Sequence, residues 1–252
     1  MPDEVNLQIT GSIARISLNR PDARNLITPS VIRELEVACD AVRDDDSVRC
    51  VVISGSDVCF SAGWDLNSFS GGLADILAGD PFGCLAKLAQ PVIAAVEGEA
   101  TSGGLALALA ADIRVAAKDA TFALPEIEDG LIPFAGSIQR LVRLTGRGGA
   151  LSLILTGEPV DAPTALRIGL VSEVTPSGKA IERALVIAAQ IARRGPIALR
   201  YAMEAISRGA EMPLEHALRF ETDLTMLLQA TGDRAEGVKA FIEKREPEFK
   251  GE

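Results

Sequence analysis

The chain has 252 residues, 48% hydrophobic and 24% charged, which is the balance of a globular protein with a sizeable core. Its formal net charge of -10 at pH 7 argues against a nucleic-acid ligand, because phosphates require a basic surface. Aromatic residues are only 4% of the chain, so the core is expected to consist mainly of Ala, Val, Ile and Leu.

The cysteine and histidine content argues against metal sites and disulfide bonds. The four cysteines have no metal-ligand spacing, so reduced thiols are expected, and a single histidine excludes most histidine-rich metal sites. The acidic start has no apolar leader, and no run approaches the roughly 20 apolar residues of a membrane span. We therefore expect a cytoplasmic protein that begins near residue 1 and has no metal site and no membrane partner.

The first part of the chain alternates strands and helices. An apolar–polar alternation at 5–9 and again at 13–18 predicts a β-hairpin. Thr28 is placed to cap a helix over 29–43, and a buried strand follows at 48–53. This order predicts an α/β fold with a largely parallel sheet and helical crossovers.

The next segment is predicted to be a loop beside the site. Residues 55–66 follow a parallel strand, and ligands of open α/β sheets bind outside the carboxyl ends of strands. Residues 67–83, which include several glycines, are predicted to be a flexible cover over that site.

The stretch 91–133 is the centre of the sequence. An apolar run at 91–96 leads through a turn at 102–104 into 105–111, which is apolar on every side. This pattern is typical of a buried strand that delivers the start of a buried helix. Further strands are predicted at 112–117 and 121–124.

After residue 133 the pattern becomes almost wholly helical. One strand is predicted at 171–174, and helices are predicted at 135–144, 148–155, 162–168, 180–194, 197–207, 214–231 and 234–243. The run Arg-Arg-Gly-Pro at 193–196 predicts a boundary between a core domain, 1–194, and a helical region, 195–252.

Backbone donors and one acid are the candidate chemistry. Gly103 is either a glycine needed for helix packing or the donor of an N–H to a developing negative charge, since a helix start leaves its N–H groups unpaired. A second donor is required, and the Trp64 N–H is the candidate. Glu126 lies in Leu-Pro-Glu-Ile, an apolar setting for a carboxylate, and is either an acid–base group or the ion-pair partner of Arg140 or Arg143.

Several segments together resemble one family. They are Asn-Arg-Pro at 19–21, Phe-Ser-Ala-Gly-Trp-Asp-Leu at 60–66, Pro-Val-Ile-Ala-Ala-Val-Glu-Gly at 91–98, Gly-Gly at 103–104, Ala-Asp-Ile-Arg-Val-Ala at 111–116, Phe-Ala-Leu-Pro-Glu at 122–126, Leu-Thr-Gly at 155–157 and Phe-Ile-Glu-Lys-Arg at 241–245. In order and spacing the chain resembles the enoyl-CoA hydratase/isomerase (crotonase) family over essentially its whole length.

The resemblance implies a crotonase-like spiral of ββα units with a helical C-terminal trimerisation region, assembled as a homotrimer or a dimer of trimers. It implies an acyl-CoA substrate, with coenzyme A as part of the substrate and no separate cofactor, whose thioester oxygen lies between the N–H groups of Trp64 and Gly103. It also implies contacts to the nucleotide end of coenzyme A from Arg24, Ala62, Asp65, Leu66 and Lys250. Arg24 and Lys250 are equally compatible with solvated surface cations.

The sequence departs from the family at one position. The family's hydratases activate water with two glutamates, one of which matches Glu126, whereas the other position holds Ala106. Shifting a double bond needs one group that removes and returns a proton, so a single glutamate suffices. The resemblance and this departure predict an enoyl-CoA isomerase with Glu126 as proton shuttle.

Alternative functions remain at this level. They are a single-glutamate hydratase or dehydratase, another enolate reaction such as decarboxylation or thioester hydrolysis, and a non-catalytic acyl-CoA-binding relative. Glu99 is a possible replacement for the missing acid, whereas Glu128 and Asp129 are expected to be solvated. Ser102 or Ser152 with His216 would suggest a serine hydrolase, but no triad pattern supports it.

Overall fold

A computed structural model describes residues 3–71, 74 and 79–252 of the chain. The strands are β1 (Val5–Thr10), β2 (Ile13–Leu18), β3 (Cys50–Ser54), β4 (Cys59–Ser61), β5 (Val92–Val96), β6 (Glu99–Thr101), β7 (Ile113–Ala117), β8 (Thr121–Ala123), β9 (Val160–Asp161) and β10 (Glu173–Thr175). The helices are α1 (Pro29–Arg43), α2 (Gly83–Ala86), α3 (Gly103–Leu109), α4 (Ser137–Thr156), α5 (Ala162–Arg167), α6 (Ala180–Ala192), α7 (Pro196–Gly209), α8 (Leu214–Gln229) and α9 (Gly232–Glu243).

The larger sheet has the strand order β1-β2-β3-β5-β7-β10. β1 and β2 form the predicted antiparallel hairpin, and every other neighbouring pair in this sheet is parallel. Alternate side chains of β3 enter different cores: Val51 and Ile53 join the main core, whereas Val52 faces α6. The predicted α/β fold with a mainly parallel sheet is confirmed.

A second, smaller sheet was not predicted. Its order is β4-β6-β8-β9, with β4, β6 and β8 parallel and β9 antiparallel. The prediction of an uninterrupted loop over 55–66 is therefore wrong, because Cys59–Ser61 is a strand. All three residues of that strand are buried, so it is too short and too uniform to show an apolar–polar alternation.

Helix starts follow local chemistry. α1 begins as predicted, with the Thr28 hydroxyl accepting the Val31 N–H at 3.1 Å. The helix predicted at 135–144 starts only at Ser137, because Ala135 and Gly136 have φ values of 55° and 77°. α4 has non-helical angles at Gly146, where the sequence predicts a break between two helices.

The C-terminal part is helical as expected. The boundary predicted at residue 194 falls between α6 and α7, and the single strand predicted at 171–174 lies at Glu173–Thr175. α7 and α8 pack mainly against each other. In the described part of the chain, no helix is both long and apolar enough to cross a membrane. Six residues of the predicted cover, 72, 73 and 75–78, lie outside the described residues, so the cover stays a prediction.

Candidate active site

The start of α3 lies directly against the loop that follows β4. A Cβ atom placed on Gly103 would be 2.6 Å from the Trp64 indole, and one on Gly104 would be 2.3 Å from the Ser61 carbonyl oxygen. Both glycines are therefore required for close packing, so the packing interpretation of Gly103 holds. The same contact brings the Gly103 and Trp64 segments together, as the sequence predicts.

Hydrogen bonds fix the loop that carries Trp64. The Ser61 hydroxyl donates to the Asn25 carbonyl at 2.8 Å, and the Asn25 amide donates to the Cys59 carbonyl at 2.9 Å. The Ile27 N–H donates to the Gly63 carbonyl at 2.7 Å. The segment 20–27 therefore holds the loop from behind, and this role of Asn25 has no signal in the sequence.

Two backbone donors at this junction are free. Within the residues that the structure describes, neither the Trp64 N–H nor the Gly103 N–H donates to a protein acceptor. Gly103 is the first residue of its helix, where no preceding turn supplies an acceptor. Both donors are thus available to a ligand.

Aromatic side chains surround the Trp64 indole. It stacks against Phe82 and Phe134 with ring centroids 5.5 Å apart in each case, and meets Phe69 edge-on at 6.3 Å. Four of the few aromatic residues in the chain therefore form one wall beside Gly103. The indole contributes to this wall, while the Trp64 backbone carries the free donor.

Glu126 is a buried carboxylate with one free oxygen. It lies in a 3-10 turn, Pro125–Asp129, and is 7% exposed. Its Oε1 accepts the Ser102 hydroxyl at 2.7 Å, and among the described residues its Oε2 has no partner. Burial raises the pKa of Glu126, the Ser102 hydrogen bond lowers it in part, and nearby Asp129 raises it. Such a group is suited to proton transfer.

The alternative ion pairs of Glu126 are not formed. Arg140 pairs with Asp80, and Arg143 pairs with Glu211, so the interpretation of Glu126 as a structural partner of either arginine is wrong.

The other candidate acids have different surroundings. Glu99 is paired with Arg24, and Glu128 and Asp129 are exposed, as predicted for these two. No carboxylate is present in α3, where Ala106 is 1% exposed and belongs to the main core. Glu126 is thus the single buried, unpaired carboxylate at this junction in the described part of the chain.

The residues expected at coenzyme A are only partly together. The Ala62 N–H donates to the Arg24 carbonyl at 3.0 Å, and Asp65 and Leu66 follow in the same loop. Lys250 lies elsewhere in the single chain, with its N–H donating to Asp233 at 2.7 Å. Its carbonyl accepts a hydrogen bond from the Arg49 side chain at 3.3 Å, at the amino end of β3, an interior strand of the larger sheet.

Two buried ionisable residues, Glu97 and Arg114, bind backbone groups outside the candidate site. Glu97 accepts the N–H groups of Gly178 and Ala180, at 2.9 and 2.7 Å, and so caps the start of α6. Arg114 donates to the Ala111 carbonyl beyond the end of α3 at 2.6 Å, and burial lowers its pKa to about 10. Both residues lie in segments that resemble the family, but the sequence alone does not separate their structural role from a catalytic one.

The candidate residues for a serine hydrolase do not lie together. His216 is exposed on α8 and Ser152 is exposed on α4, so neither is positioned to form a triad with Ser102. A search of the described residues finds no cluster of His, Cys, Asp and Glu able to hold a metal ion.

Comparison with known proteins agrees with this architecture. A family model described as enoyl-CoA hydratase/isomerase matches residues 8–252. The chain is 41% identical over 240 residues to the 2,3-dehydroadipyl-CoA hydratase of Escherichia coli, covering 94% of each protein. It is 36% identical over 253 residues to the short-chain-enoyl-CoA hydratase of Clostridium acetobutylicum, covering 98% of this chain and 97% of the relative.

A solved structure of a relative has the same fold. The enoyl-CoA hydratase from Bacillus anthracis superimposes with a TM-score of 0.95 at 37% identity, covering 99% of this chain and all of the other. The sequence resemblance is thus accompanied by a shared fold. The chain belongs to the enoyl-CoA hydratase/isomerase family and has the crotonase fold.

Proposed function

We propose that this protein isomerises the double bond of an enoyl-CoA, with Glu126 as the single proton shuttle. The observation that carries the proposal is one buried carboxylate with an oxygen that has no partner among the described residues, next to two backbone N–H groups that likewise have none. Ala106 stands where the family's hydratases carry a second acid, and Glu99 is paired with Arg24.

The proposed reaction begins with the thioester oxygen accepting the N–H groups of Trp64 and Gly103. Glu126 removes a proton from C2 of a 3-enoyl-CoA, and the electron pair moves to the thioester oxygen as an enolate. The two donors stabilise that charge. The enolate then takes the proton back from Glu126 at C4, which gives the 2-enoyl-CoA. The raised pKa of Glu126 suits this cycle, because the group must both accept and return the proton.

Hydration of a 2-enoyl-CoA is the second candidate. Relatives with 36–41% identity are named hydratases, which favours addition of water. In this chain Glu126 would have to activate the water and also deliver the proton. We expect such a reaction to be slower than that of a hydratase with two acids, because one carboxylate does the work of two.

Substrate contacts and assembly complete the proposal. Arg24 and the backbone of 62–66 contact the nucleotide end of coenzyme A. Lys250, near the C-terminus, contacts it either within the same chain or from a second copy of the chain. The chain assembles as a homotrimer or a dimer of trimers through 195–252. Large apolar side chains are exposed there, as expected of an interface, at Ile206, Leu214, Leu218, Met226, Leu227, Val238, Phe241 and Ile242.

The choice between the two reactions is tested with two substrates. Purified protein is given a 3-enoyl-CoA and, separately, a 2-enoyl-CoA, and the products are resolved by chromatography. We expect conversion of the 3-enoyl-CoA to the 2-enoyl-CoA and little 3-hydroxyacyl-CoA. Rapid hydration of the 2-enoyl-CoA with no shift of the 3-enoyl-CoA would overturn the isomerase proposal.

A further inference from the structure

We infer that Ser102 is a positioning residue for Glu126. Its hydroxyl holds Oε1 of the carboxylate, which leaves Oε2 as the oxygen that carries the proton. This inference rests on the proposed function and adds a second side chain to it.

The backbone of Ser102 is in a conformation that favours glycine. Its φ and ψ are 52° and -118°, at the turn between β6 and α3. Residues with a side chain rarely adopt such angles, and strained residues of this kind cluster at functional sites. Glycines occupy the next two positions, Gly103 and Gly104, where packing demands them. A serine at 102 therefore introduces strain that glycine would avoid, and what it contributes is a hydroxyl group.

Neighbouring elements hold that hydroxyl in place. The Ser102 N–H donates to the Ala123 carbonyl at 2.9 Å, and the Ser102 carbonyl accepts the Ala106 N–H at 2.9 Å. On the side-chain flank, a Cβ atom placed on Gly63 would be only 2.9 Å from the Ser102 Cβ. Ser102 is thus fixed between β8, α3 and the loop that carries Trp64.

The contact with Glu126 links the acid to the backbone donors. Ser102 directly precedes Gly103 and lies against the residue before Trp64, so its hydroxyl has a set position relative to both N–H groups. The hydrogen bond of 2.7 Å to Oε1 joins residues 24 apart in sequence. In the described structure it is the one side-chain contact that orients the Glu126 carboxylate. Hydrogen bonds to a charged acceptor are among the stronger ones in proteins.

Two variants separate the hydroxyl from the backbone strain. Ser102→Ala removes the hydroxyl and keeps the strained Cβ, whereas Ser102→Gly removes both. The assay is loss of deuterium from C2 of labelled butyryl-CoA, with kcat and KM measured across pH. This readout does not depend on whether the later step is isomerisation or hydration.

We expect both variants to lose about ten- to hundredfold in kcat, the range for a hydrogen bond to a charged group, with KM little changed. The acidic limb of the kcat profile should move to higher pH, because the lost hydroxyl had favoured the ionised carboxylate. Ser102→Gly should fold at least as stably as the wild type, so its loss of activity would not reflect unfolding.

A Ser102→Gly enzyme with wild-type kcat and an unmoved acidic limb would overturn the inference. An acyl group found on Ser102 by mass spectrometry during turnover would also overturn it, since the residue would then be a nucleophile. Glu126→Gln separates the two levels of the account. If Glu126→Gln keeps full activity, the proposed function itself fails. If Glu126→Gln is inactive but both Ser102 variants keep wild-type kcat, only the positioning role of Ser102 is refuted.

Discussion

At the residue scale, the proposed chemistry depends on Glu126, a carboxylate that the fold largely shields from water. Burial raises the pKa of Glu126, so its protonated form persists to higher pH in the folded chain than in the unfolded chain. Its contribution to stability is therefore complete at low pH and is lost as pH rises through the folded-state pKa. An acid that is useful for proton transfer thus costs stability once it ionises.

This linkage gives a pH prediction. The glutamine side chain in Glu126→Gln cannot ionise. The melting temperature of this variant should therefore exceed that of the wild type at pH 8 and be similar to it at pH 4. Thermal unfolding of both proteins across pH measures the difference. An exposed acid from the same turn provides the control, and Glu128→Gln should show no such trend. A difference between Glu126→Gln and wild type that does not change with pH would contradict burial as the cause.

The alanine in α3 gives a second residue-scale prediction. If position 106 faces the substrate as the family resemblance implies, Ala106→Glu should gain hydration of a 2-enoyl-CoA. Because Ala106 is 1% exposed in the core, the new carboxylate should also lower the free energy of unfolding by several kcal/mol. Urea unfolding and product analysis check the two effects.

A matched variant on the same helix controls that experiment. Ala108 is fully buried in α3, so Ala108→Glu should lose comparable stability without gaining hydration. Equal hydration in both variants, or none in a folded Ala106→Glu protein, would contradict the assigned orientation of position 106.

Individual residues of the candidate site were predicted better than the contacts between them. Trp64, Gly103 and Glu126 were identified from motifs and local apolar patterns, and the structure brings their segments together. The bond between Ser102 and Glu126 was not predicted, because it joins two turns whose distance is set by the stacking of strands and not by local pattern. Lys250 was expected at the nucleotide end of coenzyme A and lies apart from the other site residues within one chain, so its contact with the ligand stays a prediction.

Helix ends and short strands position these residues at the element scale. Glu97 follows β5 and holds the first turn of α6, which covers the large sheet through Ala180, Ala184 and Ala188. The glutamate in a segment that resembles the family thus has a structural function that is readable only from its partners.

We predict that Glu97→Ala destabilises the fold without entering the chemistry. The buried Ala180 N–H and the N–H of exposed Gly178 would both lose their acceptor, and the unpaired buried donor should lower the free energy of unfolding by about 1–3 kcal/mol. Urea unfolding measures this, and kcat per folded molecule should stay unchanged. Glu97→Gln keeps one acceptor oxygen and should lose less. If Glu97→Ala folds stably but has a much lower kcat than the wild type, Glu97 takes part in the reaction and is not only structural.

Long periodic elements were predicted well, and so were two short strands, β8 and β10, whereas three other short strands were not. α1 begins and ends where its cap and apolar spacing indicate, and the parallel sheet follows from the strand–helix order. β4, β6 and β9 have two or three residues each, which is too few to show a period. Because β4 and β6 lead into Trp64 and Gly103, these unpredicted strands are the ones that align the two donors.

Exposed apolar surface indicates association at the scale of the whole molecule. Phe241 is 84% and Ile242 is 73% exposed, on α9 near the end of a chain with a net charge of -10. Contact of such side chains with water is unfavourable, and a symmetric interface between identical chains, as proposed above, would remove it.

We therefore predict that Phe241→Asp weakens assembly. Sedimentation should give the wild type a mass near three or six times 26.5 kDa and give the variant a smaller mass. Val37, which is 69% exposed on α1, supplies the control, and Val37→Asp should leave the mass unchanged. A monomeric wild type would contradict the proposed assembly.

The most direct test of the account is exchange at C2 of a saturated acyl-CoA, because only a working base beside stabilising N–H donors removes that hydrogen. Wild-type protein and Glu128→Gln should replace C2 deuterium of butyryl-CoA with hydrogen from water, as followed by mass spectrometry. Glu126→Gln should bind butyryl-CoA with similar affinity and show no exchange. Exchange by Glu126→Gln at the wild-type rate, or none by a wild type that binds the ligand, would contradict a site in which Glu126 generates a thioester enolate.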